Sequence, residues 1–338
     1  MIGPSAVFPW RQRRGRVNAY LLDEIRTACK AVAKSAVHVR IHDGRIAGYA
    51  ASLKKTGGIP PGLDPARHYL SRGEDTAAFL LTLNAVNFGS GYFPHLRKRP
   101  GMSGYFTVAS SLNDYYRRHG PLSAEELTRL QAEDCAQIFA QDLSSEPVRE
   151  LMGLFARALN DLGTYLIKDF DGRFVDLIEA AGDSAERLVR VLNGMPFFND
   201  IENYRSMRVP FFKRAQLTAA DLSLVFGGDG WGRFDDLDRL TMFADNLVPH
   251  VLRVDGVLAY DEELASMIDR EELIPAHSQK EIELRACAVH AVELMVQALR
   301  ESGEQVTAMN LDYLLWNRGQ EPYYKNIGPR HRTRTVFY

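Results

Sequence analysis

A compact, mostly α-helical fold is what this sequence predicts, and three observations predict it. The stretch "KEIELRACAVHAVELMVQALR" carries Ile282, Ala286, Val289, Val292, Val296 and Leu299 on one unbroken stripe at helical spacing. Helix-start signals recur along the chain. Ser123 with Glu126 and Ser278 with Glu281 are spaced as capping boxes, and Ser145-Glu146-Pro147 puts a proline in a first turn. No series of strands alternates with helices, which argues against a doubly wound sheet. The expected organisation is one domain over residues 1–338, with room for two helical lobes around a central cleft.

The elements follow in order. "NAYLLDEIRTACKAVAKSA" sets Leu21, Ile25, Ala28 and Val32 on one helix face. "AVHVRIHDGRIAGYAASL" alternates on both sides of Asp43-Gly44 and reads as a minor β-hairpin near the N-terminus. "PGLDPARHYLSRG" reads as loop, and "EDTAAFLLTLNAVNFGS" as a helix ended by Gly89. The glycine-rich "NFGSGYFP" then offers Phe88, Tyr92 and Phe93 either to a cleft or to a packed loop. "FFKRAQLTAADLSLVF" is apolar at helical spacing, with Lys213 and Arg214 at its start. "GGDGWG" follows a helix, lacks the Gly-Lys-Ser/Thr of a phosphate loop, and is a turn. "TAMNLDYLLWNRG" closes the series as a shorter helix stopped at Gly319.

Composition excludes several function classes. A net charge of −2 gives no basic field for coating a polynucleotide. No apolar run approaches a membrane span, and the basic start "MIGPSAVFPWRQRRGR" lacks the apolar core of a secretory signal. Cys29, Cys135 and Cys287 are too scattered for a zinc framework or a disulfide scaffold. A soluble protein of a reducing, cytoplasmic compartment is expected. On the long helix His290 precedes Glu293 by three and follows Glu283 by seven, but the order is the reverse of a Glu-x-x-His site and has no second copy. No metal is expected.

Two charges are set into apolar runs. Lys213 could flank a helix opened by Pro210, and Asp245 in "LTMFADNLVPHVL" could cap the helix that follows, or both could belong to a catalytic site. Asp312 and Trp316 share a helix face among leucines. Asp312 is then either a first-turn carboxylate behind the cap Thr307, or the acceptor of a base pocket in which the indole stacks.

The strings "FFKRAQLTAADL", "LTMFADNLVPHVLRVDGVLAYDEEL" and "EIELRACAVHAVE" resemble the queuosine salvage protein family, the queuosine 5′-phosphate N-glycosylases. "PFFNDIENY", "LDYLLW" and "HRTRTVFY" resemble it too, so the likeness spans nearly the whole chain. It implies a helical fold akin to the helix-hairpin-helix DNA glycosylases and hydrolysis of the bond between queuine and ribose 5′-phosphate, with queuine destined for tRNA. It matches Asp245 to the catalytic aspartate and Lys213 to the family's lysine. Phe243 matches the neighbouring aromatic, and Asp312 and Trp316 the base-binding helix. Asn246-Leu247 and the loop "NFGSGYFP" depart from the family pattern.

The chemistry suits these residues. As the base leaves, positive charge builds on the ribose, and a fixed carboxylate both stabilises it and orients water. Lys213 could orient Asp245, hold the phosphate, or meet charge on the base. His38 is a lid-side contact for the substrate, and Arg330, His331, Arg332 and Arg334 form either a phosphate cluster or a solvated tail. The partner is a small molecule, with no cofactor, no long nucleic acid and no membrane. The alternative is a non-catalytic helical nucleic-acid-binding or repair-type module.

Overall fold

Amphipathic stripes become helices here because each finds an apolar partner to face. The computed structural model describes residues 20–54 and 63–338; the basic N-terminal segment, Asn18-Ala19 and Pro61-Gly62 lie outside them. Among the described residues there are fifteen α-helices and four strands of three or four residues, so helix packing carries the fold.

The helix Gln279–Glu301 is the axis of one region. Its apolar stripe is buried as the spacing predicts, but Leu284, Ala288, Ala291 and Met295 are buried as well. The reason is neighbours on several sides: the helices Leu21–Ser35, Asp43–Lys54, Leu247–Val254 and Ala308–Arg318 all pack against it. A second long helix, Glu146–Phe170, has proline in its first turn and carries the short helices Ala124–Leu127 and Ala132–Ile138 across one side. Gly163 permits that crossing, since a Cβ there would lie 2.5 Å from the carbonyl of Ala124. The helix Glu74–Ala85 bridges Glu146–Phe170 and Lys213–Phe226 and is buried along most of its length.

Three expectations are corrected. Asp43-Gly44 does not turn a hairpin. Val39–Ile41 is a strand that pairs antiparallel with the distant Leu258–Tyr260, and Asp43–Lys54 is helical. Ile46, Ala50 and Leu53 then share a buried face, and Asp43 sits favourably in the first turn against the helix dipole. Helical spacing outweighs the turn dipeptide. The true hairpin is Ile201–Tyr204 with Met207–Pro210, closed by Arg205-Ser206 with Arg205 at φ 56°. The helix expected to run to Gly89 ends at Ala85. Finally, Ser278 caps its helix by accepting from the Glu281 N–H, but the reciprocal bond is not made. The Glu281 carboxylate is drawn instead to Arg285, 3.6 Å away.

Arg285 and Asp200 form the polar centre of the molecule. The guanidinium grips Asp200 through two bonds of 3.0 and 2.7 Å, and both side chains are buried. Asp200 precedes the hairpin and also accepts from the backbone N–H of Lys213 at 3.1 Å. Arg285 donates its Nε–H to the carbonyl of Ala244 at 3.1 Å. One ion pair therefore fixes both the start of the Lys213 helix and the residue before Asp245.

Candidate active site

A cavity of about 780 Å³ opens where these segments meet. Lys213, Phe243, Asp245, Asp312 and Trp316 all line it, so five of the six residues expected at a site come together. The sixth, His38, is not among the lining residues. Its Nδ1 pairs with Asp261 at 2.7 Å, and its backbone N–H donates to Glu283. The lid-side role expected of His38 has no place in this arrangement.

Lys213 is held by backbone geometry. The strand ends at Pro210, so that proline does not open the helix, and Phe212 turns the chain with a left-handed φ of 49°. Such a conformation costs about 1–2 kcal/mol for a residue with a Cβ, and the Asp200 carboxylate that receives the next N–H offsets it. The residue is 7% exposed, and its ammonium reaches the carbonyl of Asn87 at 3.4 Å. Burial pushes its pKa down to about 8, against the opposing pull of Asp245.

Asp245 closes the irregular segment that begins at Leu240. Its Oδ1 accepts from the N–H groups of Leu247 at 2.9 Å and Val248 at 3.1 Å. The capping role is therefore real, and it occupies one oxygen. Oδ2 has no hydrogen-bond partner among the described residues, while the side chain lines the cavity. Burial raises the carboxyl's pKa; Lys213, the two N–H groups and Arg330 oppose the rise.

Asp312 lies beyond the first turn of Ala308–Arg318, whose cap is a reciprocal Thr307–Asn310 pair, so it is not a capping carboxylate. Its Oδ1 accepts from the Phe243 N–H at 2.9 Å, tying this helix to the Asp245 segment. Burial, and then repulsion from Asp245, hold its pKa well above the usual carboxylate range. Trp316, one turn on, stands edge-on to Tyr105 and Phe106 at 5.9 and 5.8 Å. Of the glycine-rich loop, Phe88 and Phe93 line the cavity, whereas Tyr92 bonds Glu150 at 2.7 Å.

The basic cluster near the end of the sequence divides. Arg330 and Arg332 line the cavity, joined by Lys325. Arg332 is engaged by Glu271 at 3.0 Å and Arg334 by Glu150 at 3.4 Å. His331 is buried, with a pKa pushed down to about 3, and is neutral. Among the described residues Arg330 has no carboxylate partner; its one hydrogen bond goes to the carbonyl of Gly319 at 3.3 Å. Glu283 and Glu293, the carboxylates spaced around His290, are spent elsewhere. Glu283 accepts from the N–H groups of Val37, His38 and Val39 and from the Tyr204 hydroxyl, and Glu293 pairs with Arg26 at 3.1 Å. Asp200, Arg285 and Asp221 escape sequence reasoning. The one available signal is their position, as charged residues inside apolar helical or family-like strings.

The arrangement defines a class: a helical protein with a buried, carboxylate-rich pocket of small-molecule size. The chain belongs to the queuosine salvage protein family, whose model matches residues 67–338. It is 37% identical over 317 residues to the queuosine 5′-phosphate N-glycosylase/hydrolase of Sphaerobacter thermophilus, covering 92% of this chain and 97% of that one. The Dictyostelium discoideum and Mus musculus proteins of the same name are 34% and 32% identical, covering 78% and 70% of this chain and 79% and 72% of theirs. Among the described residues no helix is long and apolar enough to cross a membrane.

Proposed function

We propose that this protein hydrolyses the N-glycosidic bond of queuosine 5′-monophosphate and releases free queuine for reinsertion into tRNA. The observation that carries the reading is Asp245. One oxygen is immobilised by two backbone N–H groups, the other is open to a cavity, and the buried ammonium of Lys213 acts on it. The names of the relatives support the same activity. In this reading the whole chain is one domain, because the cavity's walls come from segments between Leu63 and Tyr338. Kinship with the helix-hairpin-helix DNA glycosylases rests on the family resemblance.

The steps use the chain's own side chains. The base leaves with the electrons of the C1′–N bond, and positive charge develops on C1′ and the ring oxygen. The open Asp245 oxygen faces that charge in a low-dielectric setting, where the attraction is strong. Water then adds at C1′ and loses its proton to the same carboxylate. The departed base nitrogen takes up a proton as Asp245 returns its own to solvent, so that queuine is released with its ring neutral. Lys213 holds Asp245 ionised until the sugar's charge appears. Asp312 meets the base edge with its second oxygen; the ring N–H and amino donors draw it into its ionised form on binding, and Trp316 and Phe243 cover the ring faces. Arg330, a cation without a carboxylate partner, receives the 5′-phosphate with Lys325.

Product analysis tests the proposal. Incubation with queuosine 5′-monophosphate should yield queuine and ribose 5-phosphate by mass spectrometry. Intact substrate at the end, with tight binding of long RNA instead, would favour the nucleic-acid module.

A further inference from the structure

The mechanism leaves one buried carboxylate of the cavity without a task. Asp221 lies two turns beyond Lys213 on the same helix, about 12 Å along its axis, and it too lines the cavity. Only 3% of it is exposed. Oδ2 accepts from Asn84 Nδ2 at 2.9 Å, and Oδ1 has only the Tyr313 hydroxyl at 3.5 Å, the outer limit of a hydrogen bond. Asn84 is fixed in turn, since its own oxygen accepts from Asn87 at 3.2 Å. It is fully buried at the end of a helix whose other walls are largely apolar, so its amide is there for Asp221.

A buried carboxylate is expensive unless it is paired, and a carboxylate offers about four acceptor positions. Asp221 has no cation within ion-pair distance among the described residues. Lys213 acts on it only through space, after Asp245 and Asp312. Burial lifts its pKa to about 6, which leaves it charged at neutral pH. Other cations line the cavity, Arg330 and Lys325 among them, but none pairs with Asp221 among the described residues, so this buried carboxylate lacks a positive partner.

The substrate proposed above brings one. The substituent on the seven-position of its 7-deazaguanine joins the cyclopentenediol through a secondary amine, cationic near neutral pH, with two N–H donors. We propose that Asp221 is the counter-ion of this ammonium and sets the specificity for a base bearing a cationic side chain over the bare ring. The assignment rests on the hydrolase reading. Oδ1 has the free acceptor positions, and Tyr313 and Tyr105 share the cavity wall with it, the Tyr105 hydroxyl 3.2 Å from His68 Nε2. Asp200, which fixes backbone and does not line this cavity, is saturated by contrast.

The test compares queuosine 5′-monophosphate with 7-deazaguanosine 5′-monophosphate, which lacks the side chain, on wild type and Asp221→Asn. Wild type should prefer the first substrate in kcat/KM. The variant should lose about ten- to a hundredfold of that preference, the worth of one charge-assisted bond, chiefly through KM. The same preference in both proteins overturns the assignment. Should the variant fail to fold, wild type is assayed with an analogue carrying CH2 in place of the side-chain nitrogen; a KM at least tenfold higher is expected, and an equal KM overturns it. Release of base from neither substrate counts against the hydrolase reading instead. Calorimetric binding of free queuine and its CH2 analogue then still decides Asp221 by the same tenfold criterion.

Discussion

Two clusters of buried charge lie side by side in this fold, and they are built on opposite terms. Around Arg285 the central ion pair is fully answered, while Oε2 of Glu281 is left without a hydrogen-bond partner among the described residues. The guanidinium holds Asp200 twice, reaches the carbonyl of Ala244 and stands 3.6 Å from Glu281, while Asp200 also receives the Lys213 N–H. Around Lys213 the groups are under-partnered: one oxygen of Asp245 has no hydrogen bond among the described residues, and one oxygen of Asp221 has only the Tyr313 hydroxyl at 3.5 Å, both residues lining a cavity. A saturated cluster fixes geometry. An unsaturated one keeps interaction free energy in reserve for a ligand that completes it. The two share backbone, since the saturated pair anchors the residues on which the unsaturated groups are mounted.

The sharpest way to break the contrast is at its saturated side. Arg285→Leu would leave the Asp200 carboxylate buried without its cation, and removal of one partner of a buried pair costs about 3–5 kcal/mol. Urea denaturation should show a midpoint lowered accordingly. On the unsaturated side Arg330→Gln, which strands no paired carboxylate, should change stability by less than about 1 kcal/mol. Equal losses in both variants would erase the distinction.

Asp245→Asn comes next. Asparagine still accepts from Leu247 and Val248 through its amide oxygen, so the helix cap survives and melting should hardly move. The catalytic charge does not survive. Single-turnover release of queuine should fall at least a hundredfold, roughly 2.7 kcal/mol of transition-state stabilisation. Turnover within tenfold of wild type in a normally melting variant would leave Asp245 a cap and nothing more.

The same contrast explains how much is legible in the sequence. Periodic stripes are readable because each residue's burial repeats with the helix, as from Ile282 to Leu299. Lys213, Asp245 and Asp312 are readable as charges interrupting such stripes, and the family resemblance carries the rest. What stays hidden depends on distant partners. Val39–Ile41 takes its partner from Leu258–Tyr260, more than two hundred residues on, so a local turn dipeptide misleads. The hairpin at Arg205-Ser206 uses a left-handed arginine where glycine or asparagine would have announced it. His38 looks available only because its claimant, Asp261, is remote in sequence. Asp200, Arg285 and Asp221 look like ordinary helix or loop charges until the fold shows which are saturated.

Asp312→Asn should sit between the extremes. The variant keeps an oxygen for the Phe243 N–H, so folding is preserved. Its NH2 group would then meet the donor edge of the base, donor against donor. Binding of queuine should weaken by about 1.5–3 kcal/mol, the range for bonds to a charged group. Isothermal titration reads the loss directly; an unchanged affinity would take Asp312 out of the base pocket.

The smallest expected effect separates charge in the cavity from stability of the fold. Lys213, with its pKa lowered to about 8, should lose its proton as pH rises past that point, and Asp245 then loses its buried counter-charge. In free enzyme kcat/KM should fall about tenfold per pH unit beyond it, a cost of about 1.4 kcal/mol each. The sign for stability is opposite. Folding holds this lysine's pKa below its ordinary 10.5, so between about 8 and 10.5 the unfolded chain binds the extra proton. The lysine's destabilising contribution is full below about 8 and disappears as pH climbs to 10.5. Declining rate should therefore coincide with a rising stability contribution from the same side chain, which loss of fold cannot mimic. Lys213→Met should abolish the alkaline limb and flatten its own share of the stability profile. A limb that persists in the variant would assign it to another group and leave Lys213 as a positioning charge alone.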